Sequence, residues 1–297
     1  MDVIKINNNQ IDQITEFIYK LNNCPKHHIG YCSKIKLEIK SEISELIENG
    51  NNFFAVYNED KLSGVIGYEK YDDTVEIWGP FTSEQDIDNE SKDIGKIKNM
   101  LWDTLLSSIN DNSLKYCLHC NFENISVRNF ASDKGFKVIA EGKTMTLDLK
   151  KLDIPIFENI FTASEKDFEE FETLHDMIFP QAYYSGKEIT ELLDKEHILF
   201  VAKEDNKVAG YIFVKMSLEI DDAYIDFIGV DSNYRSKGYG KKLLYTALKT
   251  FKENGISSLL LWVNKKNEGA IKLYENIGFI TVDDLVGFSL QKAFIPR

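Results

Sequence analysis

Apolar residues along this chain fall at two spacings. Over residues 240–253, Leu243, Leu244, Ala247, Leu248 and Phe251 recur at the three-to-four interval that lines one face of a helix, and Asn254-Gly255 supplies a stop. Residues 164–179 repeat the pattern. They open with Ser164 and, three positions on, Asp167, a pair that can satisfy the first free amides of a helix. The runs 198–202, 210–216, 223–230 and 256–263 have strand length and are rich in β-branched and aromatic residues. Residues 267–276 predict a further helix and 280–290 a final pair of strands. Strands interleaved with helices predict an α/β fold (α+β mixed sheet), with helices against a mostly antiparallel mixed sheet.

The pattern occurs twice. Asn121, Asn124, Gly135 and Phe136 recur as Asn264, Asn267, Gly278 and Phe279 at a constant offset of 143 residues. Upstream, residues 54–64 parallel residues 200–210, each a strand, a polar turn and a second strand. A chain of 297 residues has room for two domains at roughly 150 residues each. Two tandem copies are therefore expected, 1–150 and 151–297, meeting near Pro155.

Composition sets outer limits. The chain has 35 Lys+Arg against 48 Asp+Glu, a net charge of -13, which argues against a nucleic-acid surface because such surfaces depend on clustered basic residues. No apolar run approaches the ~20 residues of a membrane span, and the opening MDVIKINNNQID carries no secretory pattern. The expectation is a cytoplasmic protein with no membrane partner. Cys117 and Cys120 imitate half a zinc site, but residues three apart on a strand point to opposite faces, so buried thiols and no metal are expected.

Chemistry concentrates in the segment from Ile228 to Lys242. A strand ends, a short loop follows, and Gly238 and Gly240 open the long helix. Glycines let successive backbone N–H groups turn inward, and the helix N-terminus adds partial positive charge, a combination suited to a pyrophosphate. Arg235, Lys237, Lys241 and Lys242 add cations in an acidic chain. A Walker loop does not fit these residues, and a dinucleotide fingerprint would need Gly or Ala where Leu243 stands.

The remaining pattern, Arg235-x-x-Gly238-x-Gly240, resembles the coenzyme A loop of the GNAT acetyltransferase superfamily. It is joined by Asn267-x-x-Ala270-x-x-Leu273-Tyr274-x-x-x-Gly278-Phe279, which is similar to that family's second block. The resemblance is specific over roughly residues 160–290 and weaker in the first half. It implies an acetyl-CoA-dependent N-acetyltransferase acting on a primary amine of a small molecule or peptide. Acetyl-CoA would be the cosubstrate, its pyrophosphate held by the backbone of Lys237, Gly238, Tyr239, Gly240 and Lys241 beside Arg235 and Ser236. Ile228 and Val230 would pair with the pantetheine arm, Asn267 would bond that arm or a phosphate, and Tyr274 would be the general acid. Period-two alternation sets Asp226 on the face of Ile228 and Val230, making it the candidate base or the anchor of a relay water. Tyr224 and Asp222 share that face. His175 reads as packing, with Phe179, Tyr183 and Tyr184 where the acceptor pocket would form.

The first copy departs from the pattern. It has Ala131 where Tyr274 stands, and residues 82–93 offer five carboxylates and no glycine loop, so fold without reaction is expected there. Its role would be to pack on the second copy and shape or cover the acceptor site. The abundant carboxylates are compatible with a cationic acceptor such as a polyamine. Monomer and homodimer both remain open. So do two further readings, a non-catalytic acyl-CoA sensor and an interaction protein that kept only the fold.

Overall fold

The computed structural model describes residues 1–83, 92–109, 111, 113–180, 182–217 and 222–291. These fall into two compact units. One comprises Met1–Lys143 and the described residues from Asp283 onward, and the other Thr144–Val282.

In the first unit, α1 (Ile11–Asn22) and α2 (Lys36–Glu48) each present apolar residues at helical spacing. Ile14 and Ile18 of α1 and Ile39 and Ile43 of α2 are fully buried. They share one core with residues of the sheet, whose strands β1 (Asp2–Lys5), β2 (Phe53–Asn58), β3 (Lys61–Lys70) and β4 (Thr74–Thr82) are antiparallel neighbours in that order. Helix α3 (Lys92–Ser108) leads to β5 (Lys115–Asn121), which pairs in parallel with β4 only over Thr74–Glu76 and Lys115–Cys117. Past that point the loop after α1 takes the place of β4. Ile29, fully buried, bridges Cys120, the Gly30 amide donates to the His119 carbonyl at 2.9 Å, and the Asn121 amide donates to the His28 carbonyl at 3.0 Å. Helix α4 (Ile125–Asp133) follows. Strand β6 (Lys137–Asp148) begins in the first unit and ends in the second.

Alternation along one hairpin sorts the second unit into layers. The unit continues with β7 (Ile160–Thr162), α5 (Glu165–Ile178), α6 (Gly186–Leu192), β8 (His197–Glu204) and β9 (Lys207–Ser217). Asp205 and Asn206, both at positive φ (53° and 63°), make the two-residue turn that matches the twist of β8 and β9. Leu199, Val201, Tyr211 and Phe213 face a core with Phe171 and Leu174 of α5 and Ile189 of α6. Phe200, Ala202, Ile212 and Val214 face the opposite core, where Leu243, Leu244, Ala247, Leu248 and Phe251 of α7 (Tyr239–Glu253) are all fully buried. Helix α5 carries the expected capping box between Ser164 and Asp167.

Strand β10 (Asp222–Val230) pairs with β9 and ends the sheet β10-β9-β8-β7. Strand β11 (Ser258–Asn264) belongs to another sheet, beside the Thr144–Asp148 end of β6, where the Thr146 hydroxyl donates to the Leu259 carbonyl at 2.9 Å. Among the described residues no ladder joins β10 to β11. The chain then runs through α8 (Glu268–Glu275) to β12 (Ile280–Gln291).

The structure differs from the sequence expectation in two places. Residues 280–291 form one strand, not a pair. Asp283 and Asp284 do not turn the chain because Leu285–Gln291 continues as the antiparallel partner of Lys115–Asn121. For the same reason the compact units do not divide at 150/151: β6 leaves the first unit and the end of β12 belongs to it. Cys117 and Cys120 are buried free thiols, and no helix among the described residues is long and apolar enough to cross a membrane. Most of the acidic 82–93 segment lies outside the described residues.

Candidate active site

The site begins with what the loop after β10 does to its backbone. Asp231 caps a short 3-10 turn, Ser232–Tyr234, by accepting from the Asn233 amide at 2.7 Å. Arg235 returns to extended backbone, and its Nε donates to the Val230 carbonyl at 3.2 Å, tying the loop to the strand end. Ser236 and Gly238 then adopt the left-handed conformation (φ 63° and 84°), and Gly238 is the N-cap of α7. A β-carbon at Gly238 would meet nothing within 4 Å, so backbone conformation, not crowding, demands glycine there. Alternating backbone hands ahead of a helix N-terminus gather N–H groups into an anion-binding concavity.

This loop forms one end of a cleft of about 1000 Å³ between β10 and β11. Ile228, Val230, Arg235, Ser236, Gly238, Tyr239, Gly240, Lys241, Asn267, Tyr274 and Asp226 all line it. Among the described residues no strand lies on the outer edge of β10, so backbone groups near Ile228 and Val230 are placed to pair with an extended ligand.

Lys237 does not line the cleft. Its ammonium pairs with Glu204 at 3.0 Å, and the Tyr239 hydroxyl donates to the same carboxylate at 2.7 Å. Glu204, on β8 next to the turn, thus removes one expected cation, leaving the side chains of Arg235 and Lys241 at the loop end of the cleft. Asn267 has an assigned task too: as N-cap of α8 its side-chain oxygen accepts from the Ala270 amide at 3.1 Å. Asn124 does the same for α4, accepting from the Val127 amide at 3.1 Å. The other repeated residues match as well. Asn121 and Asn264 each accept an amide two residues on, at 3.0 and 2.9 Å, and Gly135 and Gly278 both have positive φ. Phe136 and Phe279 are both buried. The repeated motif is thus a strand-turn-helix frame, and the copies diverge at Tyr274 against Ala131.

Tyr274 is 7 % exposed, its ring lies 5.3 Å from that of Phe279, and it lines the cleft. Burial pushes its pKa above the ordinary phenol value, so the hydroxyl keeps its proton at neutral pH.

The opposite end of the cleft is organised by a bulge. The β9–β10 register shifts between Ile225 and Phe227, leaving Asp226 as the extra residue. Simple alternation therefore does not account for its direction, although it still lines the cleft. Its carboxylate pairs with Lys215 of β9 at 2.8 Å and accepts a hydrogen bond from the Tyr183 hydroxyl. Although the Tyr183 ring is largely exposed, desolvation around its hydroxyl, then the charge of Asp226 and this bond, raise its pKa to about 12. Tyr224 is half-exposed and absent from the lining, and the side chain of Asp222 lies outside the described residues. His175 is fully buried between the Tyr211 hydroxyl at 2.6 Å and the Tyr184 carbonyl at 2.9 Å.

Sequence reasoning missed Lys215, Glu204 and Trp262. Lys215 had a legible signal, since it is the one charged residue in the buried run from Val208 to Met216. Trp262 is half-exposed on β11 and lines the cleft; nothing in its strand separated it from a core residue. The chain's abundance of carboxylates does not extend to the described lining of the cleft. Among the described lining residues Asp226 is the one carboxylate, and it is paired.

Residues 157–279 match the family model described as the acetyltransferase (GNAT) family. A mycothiol acetyltransferase from Thermomonospora curvata is 30% identical over 82 residues, covering 27% of this chain and 27% of that protein. A ribosomal protein bS18-alanine N-acetyltransferase from Haemophilus ducreyi is 29% identical over 120 residues, 40% of this chain and 81% of that protein. The chain spans only about a quarter to a third of the mycothiol acetyltransferases it matches, 27% and 36% of their lengths. The crystal structure of a GCN5-related N-acetyltransferase from Sphaerobacter thermophilus superposes with a TM-score of 0.61 at 12% identity, over 97% of this chain and 95% of that one, a likeness of fold.

Proposed function

This chain is a member of the GNAT superfamily, and we propose on that premise that it transfers the acetyl group of acetyl-CoA to a primary amine of a small molecule or peptide. The observation that carries the reading is the Ile228–Val230 end of β10, at the sheet's edge among the described residues, running into the concavity at Ser236, Gly238 and the start of α7, with Tyr274 lining the same cleft. A chain with only the fold would not need Gly238 in a left-handed conformation at a site where any side chain has room.

The residues divide the work as follows. Backbone amides from Lys237 to Lys241, with Arg235 and Lys241, would hold the pyrophosphate of the cosubstrate. The backbone of Ile228 and Val230 would hydrogen-bond its pantetheine arm as an added strand. Bound there, the thioester supplies the activated acetyl carbon. The neutral amine attacks that carbon, a C–N bond forms and the C–S bond breaks. Tyr274 gives its proton to the departing sulfur, and the amine's surplus proton leaves toward Asp226 or a water ordered by it. Asp226 is tied to Lys215 and Tyr183, which favours the role of anchor over that of direct base.

The test is release of CoA thiol on incubating the protein with acetyl-CoA and a panel of primary amines. Tyr274→Phe should lower kcat by about 100-fold, the usual size of a general-acid contribution, while acetyl-CoA binding measured by calorimetry stays intact. Binding without turnover for every amine would favour the acyl-CoA sensor. No binding at all would leave an interaction protein.

A further inference from the structure

We propose that Lys215 is a specificity-determining residue, a tethered ammonium that occupies the cation position beside Asp226 and so turns the acceptor end of the cleft toward aromatic or apolar mono-amines and away from polyamines. The inference rests on the acetyl-transfer reading and names the acceptor class of the same site.

Three observations carry it. First, the ammonium of Lys215 is held from two sides. It lies 2.8 Å from Asp226, whose side chain is only 12% exposed, and 4.8 Å and 5.9 Å from the ring centres of Tyr184 and Tyr183. Aromatic faces and a carboxylate around one ammonium are what a site built for a cationic substrate would present, and here the chain fills that site itself. Second, the described lining residues offer a second positive charge no unpaired carboxylate. Asp226 is the one carboxylate among the described lining residues, whereas Arg235 and Lys241 are cationic. The net charge of -13 does not alter this, because beyond a Debye length of about 8 Å surface charges are screened, while Lys215 acts at contact distance. Third, the exposed surface here is aromatic. Tyr183 is 64% exposed with its ring 5.1 Å from that of Phe227, Phe179 packs on Phe227 at 5.4 Å, and Trp262 is half-exposed on the facing strand. Such rings gain by covering an apolar substituent.

The experiment compares phenethylamine with spermidine as acceptors, reading CoA thiol release, with acetyl-CoA binding followed by calorimetry. The wild-type protein should favour phenethylamine at least tenfold in kcat/KM. Lys215→Met should move that ratio at least tenfold toward spermidine, and Lys215→Arg, which keeps the charge, should preserve the wild-type preference. Spermidine used as well as phenethylamine by the wild type would overturn the proposal, as would an unchanged ratio in Lys215→Met. If the Met variant does not fold, the wild-type ratio and the Arg variant still decide. Acetyl-CoA binding with neither amine acetylated overturns the acceptor assignment alone, whereas no acetyl-CoA binding removes the acetyl-transfer reading and this inference with it.

Discussion

The side-chain oxygen of Asn267 accepts a hydrogen bond from the Ala270 amide at 3.1 Å, and so caps the helix that carries Tyr274. Asn124 makes the same bond at the head of α4, where Ala131 stands in place of the tyrosine. Removing either cap should cost about 1 kcal/mol. Asn267→Ala and Asn124→Ala are each expected to lower the melting temperature by about 2–4 °C. Asn267→Ser, which still caps, should restore both stability and turnover. If Asn267→Ser melts like wild type but stays impaired toward acetyl-CoA, the Asn267 amide nitrogen contacts the cosubstrate directly.

If Tyr274 is the general acid, it should set the alkaline side of the reaction. Its pKa lies above the ordinary value of about 10, so the proton-donating form is complete at neutral pH and is lost only as pH rises through that higher value. The profile of kcat against pH should therefore show no fall assignable to this group between about pH 7 and 9.5. A descending limb centred near pH 8 that disappears in Tyr274→Phe would contradict the assignment.

Asp167 links the second unit's stability to pH. Burial opposes its charge, but the hydrogen bonds from Lys203 and from the Ser164 amide and hydroxyl prevail and hold its pKa below the ordinary carboxylate value. A depressed folded pKa means that this contribution is present above the unfolded value of about 3.9 and is lost as pH falls through the folded one. Asp167→Asn should destabilise by about 1.5–3 kcal/mol at pH 7. The difference in melting temperature between variant and wild type should shrink progressively below about pH 4. A difference that persists unchanged at pH 3 would mean that the ion pair with Lys203 is not its source.

The first unit should not bind the cosubstrate. Its β5 edge beyond Cys117, the counterpart of the open cleft edge, is taken by His28, Ile29 and Gly30 of the same chain. Calorimetric titration should accordingly give one acetyl-CoA per chain. Gly238→Ala, strained at a positive φ, should weaken that single site with no second phase remaining. A stoichiometry of two would disprove the assignment.

Local rules made the frame legible. The spacing of Leu243, Leu244, Ala247, Leu248 and Phe251, the Ser164–Asp167 pair and the two glycines at the start of α7 each encode their own neighbourhood, and each appears in the structure as read. The repeated Asn, Gly and Phe residues were legible as a repeat, but their meaning was not. Only hydrogen bonds distinguish a cap from a ligand contact, and the oxygen of Asn267 is occupied by the helix it opens. The ion pairs of Asp226 and Lys237 were not legible, for one reason in two forms. Their partners, Lys215 and Glu204, lie on neighbouring strands 11 and 33 residues earlier in the chain, and pairing at that range is invisible to spacing. The bulge at Asp226 is likewise a property of two strands in register, not of one.

The way β12 runs has a practical outcome for anyone wishing to prepare the cleft-bearing half by itself. Severing the chain at the repeat boundary would strip β11 of its Thr144–Asp148 neighbour and deprive β5 of the seven residues, Leu285–Gln291, that zip along Lys115–Asn121. Both fragments would then carry raw, adhesive strand borders prone to aggregate. A soluble form of the second unit is better sought by grafting a β6-like segment ahead of residue 149 and trimming after Val282 than by dividing the gene in two.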